Sequence, residues 1–207
     1  MGQNGRKKPL RGMCDSRGFS MVELVVVVAL IMILSAFAVP QVMNNLRTYQ
    51  LTSAASQVAD AIKFTRSEAI RRNVNVNCLA SASGSTWMVG TDSNGDGTLE
   101  TSERHFLMTG MNQFLPSSNV ANAGSLPTAL NVPAVTVLSA SSSTKTISFD
   151  PRGAINFAGS SGGATTVYVL YVGPTGTAQD YRAVVVMPSG QTQVWGTTGQ
   201  SPWHQIS

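Results

Sequence analysis

The sequence predicts an α+β protein. A long, kinked N-terminal helix should be apolar enough in its first half to cross a membrane, and its second half should pack on an antiparallel β-sheet head. Three observations carry this. From Phe19 to Val39 run 21 residues with one charge, Glu23. Apolar residues then recur at helical spacing through Leu51, Ala55, Val58, Ile62 and Ala69. After Asn73 the pattern changes to short β-branched and aromatic runs separated by Ser, Gly and Asn, the signature of strands and turns. The 207 residues suffice for one ordinary domain plus a membrane segment.

The apolar run comes first. As a helix at about 1.5 Å per residue it reaches roughly 31 Å, the thickness of a bilayer core. No later segment approaches this, so one span is expected. Hydrophobic residues are 43% and charged residues 12% of the chain. That is too apolar for disorder and too interrupted for a polytopic membrane protein. The net charge of +4 is confined to the leader, where Arg6, Lys7, Lys8, Arg11 and Arg17 face Asp15 alone. From Phe19 onward nine Lys and Arg balance nine Asp and Glu. Basic charge flanking a span holds that side in the cytoplasm, so the residues beyond Pro40 should face the periplasm or the exterior.

A plain secretory signal has a shorter apolar core followed by a small-residue cleavage site. Ser35-Ala36-Phe37-Ala38 imitates such a site, but here the polar leader ends at Gly18, before the apolar run. The stretch Gly18-Phe19-Ser20-Met21-Val22-Glu23-Leu24 resembles the class III signal of type IV pilins and type II secretion pseudopilins, with Ser20 where Thr is common. The resemblance implies cleavage by prepilin peptidase between Gly18 and Phe19 and methylation of the new Phe19 amine. It also implies that Pro40 bends the helix, and that the N-terminal helix packs with other major and minor pilins at an inner-membrane assembly platform. An unpaired carboxylate in hydrocarbon costs several kcal/mol, so Glu23 needs a partner. The resemblance supplies one, the Phe19 amine of a neighbouring subunit. The simpler alternative is a Glu23 that snorkels to the headgroups.

The domains expected are a cleaved leader at 1–18, a transmembrane half-helix at 19–39, an amphipathic helix at 40–73 and a β-rich head at 74–207. Pro40 removes a helix hydrogen bond and should kink the helix. Arg71, Arg72 and Asn73 suit a helix C-terminus. Strands are expected at Val74–Ala80, Thr86–Thr91, His105–Met111, Thr146–Phe149, Thr165–Val172, Tyr181–Met187 and Gln191–Trp195, with Pro188-Ser189-Gly190 turning the last two into a hairpin. Pro116–Leu126, Ala140–Ser143 and Ala158–Ala164 read as loops.

Phe64-Thr-Arg-Ser-Glu-Ala-Ile-Arg-Arg-Asn73, Trp87-Met-Val-Gly90 and Phe149-Asp-Pro-Arg-Gly153 resemble the FimT/FimU/GspH group of minor pilins and pseudopilins, and with the signal they span most of the chain. The resemblance implies a structural subunit for assembly or priming of a type IV pilus. It would be single-pass in the bacterial inner membrane with a periplasmic head, and would pass into the fibre on assembly. Three alternatives remain: a subunit of a type II secretion pseudopilus, a DNA-binding competence-pilus subunit, or a membrane-anchored binding module that uses only the head.

Two constellations invite chemistry. Asp92, Asn94, Asp96, Gly97 and Glu103 fit a D-x-[DN]-x-[DN]-G-x5-E calcium loop, in which Thr98 offers a carbonyl, Glu100 a water-mediated contact and Leu99 an apolar anchor. Yet the flanks read as strands, and Asn-Gly-Asp-Gly is also good turn chemistry without any ion. Lys63, Arg66, Arg71 and Arg72 cluster at the helix end beside Asp60 and Glu68. They read either as a solvated face with Glu68–Arg71 and Glu68–Arg72 pairs or as a phosphate-binding patch. The resemblance places a basic G-R-x-R motif in the last hairpin, but this chain has Gly190-Gln191-Thr192-Gln193 there, so DNA is the weaker reading. Tyr181, Trp195 and Trp203 suit base stacking, but more often pack under a terminal strand. Only His105 and His204 are present, with no nucleophile or metal-ligand spacing, and no enzyme is expected. Asp150 and Arg152 suggest a local ion pair. Cys78 reads as a small core residue.

Overall fold

The computed structural model describes residues 19–83, 86–108, 112–138, 144–161, 167–174, 180–199 and 201–207. The leader, Gly18 included, lies outside them, as do the whole expected loop 140–143 and parts of the expected strands 105–111 and 165–172 and of the expected loop 158–164. The first element is helix α1, Met21–Arg72, with Pro40 inside it. The chain divides into two compact units within this helix, between Asn44 and Asn45.

In the first unit every side chain from Phe19 to Asn44 is exposed. Val, Leu, Ile, Met and Phe point outward around the whole circumference, and this is the one helix among the described residues long and apolar enough to cross a membrane. A helix apolar on all sides finds its partners in lipid or in other helices.

In the second unit α1 buries one stripe: Leu51, Ala54, Ala55, Val58, Ala59, Ile62, Thr65, Glu68 and Ala69. The spacing of three and four keeps these on one face. Alanine at four of the nine positions lets the sheets approach the backbone. The helix stops in a Schellman arrangement. Asn73 takes a left-handed φ of 55°, its N–H donates to Ile70 O (3.4 Å), and Val74 N–H donates to Ala69 O (3.3 Å).

The strands are β1 Val76–Ser83, β2 Thr86–Asp92, β3 His105–Met108, β4 Asn112–Leu115, β5 Thr136–Val137, β6 Lys145–Phe149, β7 Tyr168–Pro174, β8 Asp180–Val186, β9 Thr192–Thr198 and β10 His204–Gln205. They form two sheets rather than one, in the orders β3-β2-β1-β6 and β10-β9-β8-β7-β4. All pairs are antiparallel except β5 with β7. The β8–β9 hairpin turns at Gly190, as the sequence suggests; its φ is +77°.

The 116–126 segment is not a simple loop. It carries two single 3₁₀ turns and leads into the short helix α2, Leu126–Ala129. With Trp203 it covers the second face of β7 and β8, around Leu115, Val120, Leu126, Val169, Tyr171, Ala183 and Val185. The first face of the same strands, through Tyr168, Leu170, Val172, Val184 and Val186, shares a core with α1. This explains why Val167–Val172 is apolar without alternation: β7 is buried on both faces. Trp203 Nε1 donates to Asn122 O (2.9 Å), and Tyr171 Oη donates to Ala123 O (3.3 Å). Burial pushes the Tyr171 phenol up to about 12. Tyr181 is also buried and Trp195 half-buried, with its Nε1 donating to Gln193 (2.9 Å). The aromatic residues weighed as a base-stacking platform therefore serve the head itself.

Candidate assembly site and the Asp92 loop

Phe19 precedes α1, and Glu23 lies in its first turn, exposed. Ser20 is the N-cap: its Oγ accepts from Val22 N–H (3.4 Å) and its carbonyl accepts from Leu24 N–H (3.2 Å). Ser20-Met21-Val22-Glu23 is thus an S-x-x-E sequence of the capping-box kind, a signal that reading Glu23 only as a buried charge overlooks. It gives the acid a second reason to sit there, because the first turn of a helix carries partial positive charge. Pro40 lies within the helix.

Each of the four cations near the end of α1 is engaged by a partner within the chain. Lys63 meets Asp60 at 3.5 Å, with both side chains more than half exposed. Arg66 Nε donates to Gly153 O (2.8 Å) and lies against Gly190. A Cβ on Gly190 would overlap Gly153 O and stand 2.8 Å from Arg66 Nε, and one on Gly153 would stand 3.0 Å from the same Nε, so both turns need glycine to close around this side chain. Arg71 grips Glu68 through Nε (2.8 Å) and Nη2 (2.6 Å). Arg72 Nε binds the same carboxylate while its Nη1 donates to Ser93 O (2.9 Å).

The expected Glu68–Arg71 and Glu68–Arg72 pairs form, but Glu68 itself is only 7% exposed, so the two guanidiniums clamp a buried carboxylate rather than a solvated one. The Arg71 hydrogen bond leads in holding its pKa down to about 2, with Arg72 helping and burial opposing. The Asp150–Arg152 pairing is likewise corrected. Asp150 Oδ1 accepts from the backbone amides of Arg152 and Ala154, both at 2.9 Å, and so shapes the turn.

The Asp92–Glu103 loop joins β2 to β3 and is closed by Thr91 N–H donating to Arg104 O (3.0 Å). Asp92 is 1% exposed; its Oδ1 accepts from Gly95 N–H (2.6 Å) and its Oδ2 from Gly97 N–H (3.0 Å). Asn94 Oδ1 accepts from Asp96 N–H (3.0 Å). Asp96 Oδ1 accepts from the Thr98 amide and hydroxyl, both at 2.8 Å, and these bonds lower its pKa. Glu103 accepts from the amides of Ser93 (2.5 Å), Asn94 (3.3 Å) and Glu100 (3.3 Å). Every carboxylate of the calcium pattern except Glu100, whose Oε2 takes the Ser102 hydroxyl (3.1 Å), is thus directed at loop amides. Among the described residues no three His, Cys, Asp or Glu side chains converge as a metal-binding group.

The loop is also tied to α1. Besides the Arg72–Ser93 bond, the Thr65 and Thr91 hydroxyls meet at 2.7 Å, and the Arg104 guanidinium stacks 4.2 Å over the Phe64 ring. Cys78 packs beside Thr65, and burial pushes its thiol up to about 12 against a weaker opposing hydrogen bond from Thr65. It is a core residue, as expected from the sequence. Glu23, by contrast, stands exposed amid uncovered apolar surface.

Comparison with protein families gives two matches. The family described as type II transport protein GspH matches residues 54–190, well over half the chain, and the prokaryotic N-terminal methylation motif matches residues 13–39. Comparison with curated proteins and with solved structures gives no match.

Proposed function

This chain belongs to the GspH family of type II transport proteins, and from that premise we propose how it enters a fibre. It is a pseudopilin or minor pilin, a structural subunit of a type II secretion system or a type IV pilus. In the reading proposed, the basic leader stays in the cytoplasm, α1 crosses the inner membrane once, and the head folds in the periplasm. Prepilin peptidase cuts between Gly18 and Phe19. The new Phe19 amine, once methylated, remains cationic at membrane depth. Glu23 of an arriving subunit then pairs with that amine on a neighbour, and the apolar circumference of residues 19–44 exchanges lipid for other pilin helices.

The observation carrying this reading is a single acid at the start of a helix segment with no covered side chain. Glu23→Val and Glu23→Gln test it together. Glutamine still caps a helix start but carries no charge. Both variants should be cleaved yet be absent from sheared fibres; normal incorporation of Glu23→Gln would reduce Glu23 to a cap. Gly18→Ala should keep the leader, seen as an unshortened chain in intact-protein mass spectrometry.

The type IV pilus is the first reading of the fibre. The secretion pseudopilus is the second, favoured by the description of the matching family as a type II transport protein. Deleting the gene and assaying both surface fibres and exported enzymes separates them. For the Asp92 loop we infer a turn that needs no ion, because the loop amides take up nearly all its carboxylates. Titrating the detergent-solubilised protein with Ca2+ in a calorimeter should give no stoichiometric heat, and such a heat would restore the calcium reading.

A further inference from the structure

The Asp92 loop contains two dipeptides prone to spontaneous backbone chemistry, Asn94-Gly95 and Asp96-Gly97. In each, the glycine nitrogen can attack the preceding side-chain Cγ. At Asn94 a bond forms between Gly95 N and Cγ, and the Cγ–Nδ2 bond breaks. The Gly95 amide proton passes to solvent base and ammonia leaves. Water then opens the resulting succinimide at either carbonyl, giving aspartate or isoaspartate. At Asp96 the same ring closure by Gly97 N expels water, and re-addition of water yields aspartate or isoaspartate.

Nothing shields these sites sterically. Asn94 and Asp96 are exposed, and a Cβ built on Gly95 or Gly97 would meet no atom within 4 Å. Both glycines hold positive φ, 80° and 81°.

We propose that Asp92 is a protecting residue that keeps both glycine nitrogens out of this reaction. Its two carboxylate oxygens hold the two nucleophiles separately, Gly95 N–H at 2.6 Å and Gly97 N–H at 3.0 Å. To attack, each nitrogen must shed its proton and turn toward the preceding Cγ. The hydrogen bond opposes the turn, and an amidate beside a carboxylate is disfavoured by like charge. Asp92 is anchored to do this, since it is 1% exposed at the end of β2 and its Oδ2 also takes a long contact from Asn77 Nδ2 (3.4 Å). The electrophiles are restrained as well. Asn94 Nδ2 donates to Asp96 Oδ2 (3.1 Å), and Asp96 Oδ1 takes the Thr98 amide and hydroxyl. This role needs no ion in the loop and does not depend on which fibre the protein joins.

The test is peptide mapping by mass spectrometry of the full chain in detergent with EDTA at mildly alkaline pH, following acid in place of amide at Asn94 and isoaspartate at both positions. Asp92→Ala should accelerate conversion of Asn94 roughly ten- to a hundredfold, the scale of losing a hydrogen bond to a charged acceptor. Glu103→Gln loosens the Ser93 and Asn94 amides but leaves Asp92 in place, and should stay near the wild-type rate. An Asp92→Ala rate equal to or below wild type overturns the proposal, the lower rate marking Asp92 as a base. So does a Glu103→Gln rate matching Asp92→Ala, which would mean that any opening of the loop suffices. If Asp92→Ala does not fold, wild type is compared folded and in urea. The folded protein should convert at least about tenfold more slowly, and equal rates would refute the protection.

Discussion

The two halves of α1 are one continuous helix built on opposite rules. From Phe19 to Asn44 no side chain is covered, and the residues are apolar on all sides. From Leu51 to Ala69 nine side chains form a buried stripe, while Asp60, Lys63 and Ser67 between them are exposed. The angular spread of apolar residues, more than their number, tells which partner a helix serves. A full circumference calls for lipid or several helices at once. A stripe calls for a partner surface on one side only, and here four alanines bring the two sheets close.

The comparison is broken most directly by truncating one isoleucine in each half. Ile62 is 0% exposed and Ile33 57%. Ile62→Ala should cost about 2–5 kcal/mol of head stability, as lost transfer energy plus a cavity. Ile33→Ala should leave head stability unchanged. All three tryptophans lie in the head, so urea unfolding of the detergent-solubilised protein followed by their fluorescence reads this difference. Equal shifts in midpoint for the two variants would show that the first half supports the head after all.

A smaller effect sharpens the buried stripe at its one charged member. Glu68 has a folded pKa of about 2, below the ordinary value of 4.5. A depressed carboxylate pKa means stability that is complete above the unfolded value and lost as pH falls through the folded one. Head stability should therefore decline between about pH 4.5 and pH 2. In Glu68→Gln that part of the decline should be absent. Arg71 is mostly exposed, so solvent screening keeps the effect well below the Ile62 loss. An unchanged acid limb in Glu68→Gln would assign the decline to other carboxylates.

The same contrast explains what the sequence made legible. Helical period, the membrane-length run and the Pro188–Gly190 hairpin are local patterns, and the structure has the stripe and the hairpin where they were expected. The division into two sheets is not local. Nothing in Asn112–Leu115 announces that β4 leaves the first sheet to pair with β7, and the two residues of β5 are too few for any period to register. The site residues divide in the same way. Glu23 stood out because a charge in an apolar run is conspicuous by itself. The Glu68–Arg71 and Glu68–Arg72 pairs were legible from spacing and do form, but spacing along a helix says who can pair and not how far the pair is covered. Asp92 was read two ways because its pattern is shared by calcium loops and Asx-rich turns, and the sequence alone did not show that its oxygens accept from Gly95 N and Gly97 N.

The smallest expected effect lies where the stripe ends. Asn73 holds a φ of 55°, which places its N–H on Ile70 O and the Val74 N–H on Ala69 O. A residue with a Cβ and no local polar compensation is strained there, so Asn73→Ala should cost about 1 kcal/mol. Glycine adopts this conformation freely but loses more entropy on folding, so Asn73→Gly should change stability by only a few tenths of a kcal/mol. The two substitutions separate backbone conformation from side-chain chemistry. If glycine costs as much as alanine, the Asn73 side chain rather than its left-handed backbone ends the helix. The turn into β1 would then be set by a polar contact, and the Schellman geometry would be its consequence and not its cause.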